Sequence, residues 1–130
     1  MVDRNIFRKI QDIRNKALAK YSHFNVGAGL ETTDGKLYLG HNIESSSYGL
    51  TICAERVALF KALSEGERDF RRIYILANNE EFCPPCGACR QLLIDYAPNI
   101  EVILLTDSGA EKSYRISELL PEAFTEKRLK

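Results

Sequence analysis

The sequence has no long apolar run, no block of like charge and no internal repeat, and each absence removes a class of protein. No window approaches the ~20 apolar residues of a membrane-spanning helix. The first turns carry Asp3, Arg4, Arg8, Lys9, Asp12, Arg14 and Lys16 among apolar positions, unlike the hydrophobic block of an export signal. Lys plus Arg and Asp plus Glu both number 18, and nowhere do about five like charges run together. The clustered cations that supply phosphate binding are therefore missing. These absences point to a soluble, cytoplasmic protein without a membrane or nucleic-acid partner. With 130 residues and no linker-like stretch, one domain over 1–130 is expected, large enough to bury a core.

What is present is a clear alternation of patterns. Ile6, Ile10, Ile13, Ala17 and Tyr21 recur at a helical period, with Phe7 and Leu18 widening the stripe, which predicts a helix over about 3–20. Phe24, Val26, Ala28 and Leu30 then alternate with polar or small residues, the period of a half-buried strand, and Gly27, Ala28 and Gly29 leave room for a close neighbour. Asp34-Gly35 marks a hairpin turn into a second strand over 37–43. A small-residue loop over 44–52 leads to a helix over 54–64 closed by Gly66. A buried-type strand over 72–77, a helix over 87–96, a strand over 101–106, a polar edge strand over 111–115 and a short helix capped by Ser117 complete the chain. The order predicts an α/β fold, a three-layer α/β/α sandwich around a five-stranded mixed sheet.

Three thiols and a carboxylate stand at helix starts. Cys53 opens one helix, and Cys86 and Cys89 open another one turn apart. Unpaired N–H groups and the positive end of the helix dipole favour thiolates there. Three such ligands from two helices leave a tetrahedral zinc one open position, hence bound water and chemistry. Glu55 is two residues from a ligand and is placed to act as general acid and base. Arg56 and Arg90 are candidate cations to offset the excess negative charge. Two other readings stand beside this one. Cys83 could complete a structural four-cysteine zinc site, although Pro84-Pro85, rising ~3.1 Å per residue, would carry it about 9 Å from Cys86. The Cys83-Pro84-Pro85-Cys86 pair could also be a redox dithiol.

The Cys53-Ala54-Glu55-Arg56 and Pro85-Cys86-Gly87-Ala88-Cys89 pieces, with Arg90-Gln91 following, resemble those of the small homotetrameric cytidine deaminases. The resemblance runs from the first helix to Phe124. It implies one Zn2+ per subunit on Cys53, Cys86 and Cys89, and hydrolytic deamination of cytidine and 2′-deoxycytidine in pyrimidine salvage, with Glu55 moving the protons. It also implies a nucleoside site in which Asn42 and Glu44 hold the ribose, Phe24 flanks the pyrimidine and the Ala54 backbone N–H meets the base. Phe124 would enter a neighbouring subunit's pocket in a homotetramer with shared active sites. Ser45-Ser46-Ser47 replaces a segment that usually begins with Asn in the family, and Pro84 stands where Ser or Thr is common. His23 and His41 are expected to be ordinary surface or packing residues, and another aminopyrimidine nucleoside is the nearest alternative substrate.

Overall fold

The computed structural model describes residues 2–129. Asp3 starts the first helix, α1 (Arg4–Asn15), by accepting hydrogen bonds from the N–H groups of Asn5 and Ile6 at 2.7 and 3.2 Å. The helix is shorter than its apolar period predicts. Leu18 leaves it to form a parallel bridge with Ile43: its N–H donates to the Asn42 carbonyl, and the Glu44 N–H donates to its own carbonyl. Tertiary pairing thus outcompetes helix propensity, and Leu18 ends up exposed.

Strand β1 (Val26–Thr32) is buried on both faces, not half-buried as its alternation suggests. Val26, Ala28 and Leu30 face the main core, and the small residues between them face α1. A Cβ on Gly27 would lie 2.7 Å from the Ile10 carbonyl oxygen and 2.8 Å from Arg14 Cβ, so the helix rests directly on the strand backbone. The Asp34-Gly35 turn, with Gly35 at φ +91°, returns the chain as β2 (Leu37–His41). Helix α2 (Ala54–Ser64) follows, closed beyond Glu65 by Gly66 at φ +93°. Then come β3 (Phe70–Ala77), α3 (Gly87–Tyr96), β4 (Glu101–Leu105), β5 (Glu111–Arg115) and α4 (Ile116–Leu119). Ser117 lies inside α4 and not at its cap; there the Arg115 N–H donates to Glu118 Oε1 at 2.8 Å.

The five strands form one mixed sheet in the order β2-β1-β3-β4-β5. Only β3 and β4 run parallel, joined through α3, and the polar β5 is an edge as expected. Helix α1 covers one face with Ile10 against Tyr74, Leu76, Ile103 and Leu105. Residues of α2, α3 and α4 cover the other with Ile73, Ile75, Val102 and Leu104 beneath them. Buried Arg14 fastens α1 to the strand ends, donating to both Asp107 carboxylate oxygens at 2.8 Å and to the Ala77 carbonyl at 3.1 Å. The architecture is the three-layer sandwich that the element order implies.

Gly40 seats α2 on β2. A Cβ at that position would lie 2.6 Å from both the Ala54 carbonyl oxygen and the Ala58 nitrogen, backbone atoms that move only with the whole helix. Gly40→Ala is expected to destabilise the protein by about 1–3 kcal/mol in denaturant unfolding. Gly49→Ala, with open space around it and no positive φ, is expected to leave the midpoint unchanged.

Candidate metal and nucleoside site

Cys53 and Cys86 both occupy the N-cap position of their helices, α2 and α3, and neither side chain makes a capping hydrogen bond. A serine or aspartate there would turn its oxygen onto the first-turn amides. The uncapped sulfurs instead meet each other, at 3.6 Å between Cys53 and Cys86 and 3.5 Å between Cys86 and Cys89. All three Sγ atoms lie within 4.8 Å of one another. A tetrahedral zinc with bonds of about 2.3 Å asks for sulfurs about 3.8 Å apart. The three thiols fit that ion as they stand, with one coordination position left over.

Charge in the group is uneven. The Cys53 thiol is lowered to about 5, first by the hydrogen bond from Cys89 and then by those from Arg56 and Cys86. Cys89 is raised in turn, as the proton-holding partner of that pair and through burial. Divalent zinc displaces such a proton outright. Arg56 donates from Nη2 to Cys53 Sγ at 3.4 Å, and its buried Nε–H has no hydrogen-bond partner among the described residues. It is the cation that the sequence places beside the thiolates. The Arg90 guanidinium bonds to carbonyl oxygens: Nε donates to the Pro85 carbonyl at 2.7 Å and Nη1 to the Leu119 carbonyl at 2.8 Å. It ties the thiol-bearing loop to the C-terminal segment.

Glu55, one residue into α2, is 5% exposed. Burial lifts its carboxyl to about 7, and the Cys53 charge adds to the rise. A carboxyl so placed exchanges protons near neutrality without solvent competing for it. Cys83 stays outside the thiol group. Its Sγ lies 3.9 Å from the Pro84 carbonyl, it packs against the main core, and burial raises it to about 11. The four-cysteine reading therefore has no geometric support.

Asn42 and Glu44 flank Ile43 on the stretch that follows β2, but both are engaged with the 21–26 segment. The Asn42 amide accepts from the Val26 N–H and donates to the Phe24 carbonyl, each at 2.9 Å, leaving one N–H and one lone pair. The Glu44 carboxylate accepts from the N–H groups of Tyr21 (3.1 Å) and Ser22 (3.0 Å) and from the Ser22 hydroxyl, which together hold it below the usual carboxylate range. Ser22 Oγ also accepts from the Phe24 N–H at 3.0 Å. Sequence reading missed Ser22 as a participant, although it stands only two residues before Phe24. Phe24 is partly exposed, and a hollow of about 390 Å³ lies between Tyr21, Ser22, Glu44, Ser45, Tyr48 and Thr51. Ala54 is fully buried at the first position of α2, where helix geometry leaves its N–H without an intrahelical acceptor. Phe124 lies elsewhere, exposed, lining a hollow with Gln91, Asp95 and Tyr96, and its carbonyl accepts from Gln91 Nε2 at 2.8 Å.

The model of the cytidine and deoxycytidylate deaminase zinc-binding region matches residues 1–105. The chain belongs to this family. It is 50% identical over 113 residues to a cytidine deaminase of Halalkalibacterium halodurans, a stretch covering 86% of each chain. A blasticidin-S deaminase of Bacillus cereus is 32% identical over 109 residues, 78% of this chain and 77% of that one. The crystal structure of cytidine deaminase from Burkholderia pseudomallei superposes with a TM-score of 0.89 at 42% identity, covering 95% of this chain and 100% of that chain. Zinc is the cofactor of this family's site, and the Cys53, Cys86 and Cys89 group suits one ion.

Metal analysis of purified variants separates the three thiols from the fourth. Cys83→Ser is expected to retain one zinc per chain by elemental mass spectrometry, and Cys86→Ser to lose most of it; zinc loss from Cys83→Ser would restore the four-cysteine site.

Proposed function

We propose that this chain hydrolyses cytidine and 2′-deoxycytidine to uridine and 2′-deoxyuridine, the oxygen of water replacing the C4 amino group, which leaves as ammonia. The observation that carries the reading is Glu55: a buried carboxyl beside three convergent thiols, raised to about 7. When bound, zinc is a Lewis acid that supplies an activated water at neutral pH. Glu55 takes one proton from the attacking water and passes it to N3 of the pyrimidine, then takes the second from the hydroxyl now on C4 and hands it to the amino group, which leaves as ammonia while the C4 carbonyl forms. Cys53, Cys86 and Cys89 hold the metal, with Arg56 offsetting their charge. The Ala54 N–H meets the base, Phe24 flanks it, and the remaining hydrogen-bonding capacity of Asn42 and Glu44 takes the ribose hydroxyls.

The reading extends to assembly. In one chain Cys86 and Phe24 are exposed, and so are the apolar side chains of Leu18, Ile43, Tyr48 and Leu50. A homotetramer would cover such surface, with Phe124 completing a neighbour's pocket. Free thiols that serve as metal ligands suit a reducing, cytoplasmic setting, and the reaction suits pyrimidine salvage.

Two measurements test this. Wild-type protein should release ammonia from cytidine, and Glu55→Ala should keep its zinc while kcat/KM falls by about 10²- to 10⁴-fold; full activity in that variant would remove Glu55 from the mechanism. Light scattering should give about four times the chain mass of 14.7 kDa, and a monomer would overturn the shared-site arrangement.

A further inference from the structure

Asn78 is the first residue beyond β3, exposed, and eight positions before Cys86. Its side chain reaches across to another loop: Nδ2 donates to the His23 carbonyl at 3.0 Å. His23 is unusual in its backbone. It has φ +60°, the left-handed region that a residue with a Cβ avoids. Its N–H donates to the Ala19 carbonyl at 2.8 Å, so the Asn78 bond completes the restraint on both sides of the residue.

Building on the deaminase reading above, we infer that Asn78 is a positioning residue for the nucleoside: its amide holds the left-handed turn at His23 and thereby aims Phe24 at the base. Asn78 shares that task with two neighbours: Ser22 Oγ accepts from the N–H of the same His23–Phe24 peptide, and on the far side Asn42 Nδ2 donates to the Phe24 carbonyl. If His23 relaxed into the extended region, the following peptide would rotate and carry the Phe24 ring with it. Asn78 is also well anchored itself, because Ala77 before it is gripped through its carbonyl by Arg14. Since the segment from Asn78 runs on to Cys86, the same bond joins the aromatic wall of the pocket to the thiol-bearing loop.

Asn78 is exposed and belongs neither to the thiol group nor to the core clusters, which suits it as a probe. Asn78→Ala removes the amide, and Asn78→Asp keeps the size but not the donor. Each is expected to raise KM for cytidine about fivefold, with kcat within about twofold of wild type and zinc content unchanged. Glycine occupies positive φ without a Cβ penalty. Combining His23→Gly with Asn78→Ala is therefore expected to bring KM back to within about twofold of His23→Gly alone. A loss of folding stability alone would lower the active fraction and so kcat, and would leave KM where it was. The inference is overturned if KM does not rise in either Asn78 variant, if zinc or kcat falls while KM holds, or if His23→Gly fails to rescue. Wild-type protein that releases no ammonia from cytidine overturns instead the deaminase reading on which it rests.

Discussion

Three thiols within 4.8 Å are the constraint around which this molecule is organised. Brought together as thiolates they repel, and a divalent ion relieves only part of the excess. The remaining compensation comes from backbone and one side chain: two helix N-termini whose first amides are left uncapped, and the Arg56 guanidinium on Cys53. The two helix starts must therefore meet at one point. The sheet arranges this by placing α2 over β2 at Gly40 and by leading the chain from β3 through the 78–86 loop into α3. The parallel β3–β4 pair, the exception in an otherwise antiparallel sheet, follows from that second requirement, because a helix has to cross between them.

The side proposed for the nucleoside is built on a different principle. There the segment over 21–26 has little regular structure of its own, and polar side chains from the 42–44 stretch hold its backbone in place. Glu44 and Asn42 thus shape the pocket before they present anything to a ligand. The metal half rests on helices and core packing, and the selectivity half on a web of individual hydrogen bonds.

This division explains what could be read from the sequence. The thiol spacing, Glu55 at a helix start, the hairpin at Asp34-Gly35 and the buried strands announce themselves through local chemistry and period, and the structure has them close to where they are expected. Helix α1 was overestimated because Leu18 fits the apolar stripe, while the bridge to Ile43 that ends the helix is a long-range pairing with no local signal. Arg90 adjoins Cys89 in sequence, and the bonds of its guanidinium to the Pro85 and Leu119 carbonyls have no sequence signal. Asn42 carries a sugar-binding expectation from the family resemblance, and its hold on the start of β1 has no sequence signal because both partners are backbone groups. Gly40 carried no signal either: a lone glycine in a strand does not say which helix leans on it.

The shared guanidinium of Arg90 has a thermodynamic consequence. Pro85 immediately precedes a thiol of the group, and Leu119 closes α4, from which the chain continues to Phe124. One rigid fork therefore spans the thiol loop and the C-terminal segment, and Gln91 adds a second tie at the Phe124 carbonyl. Order at one end lowers the free energy of order at the other, and by linkage the influence is reciprocal. Whatever loosens the turn before Cys86 therefore weakens the hold on Leu119, far away in sequence but a single side chain away in space.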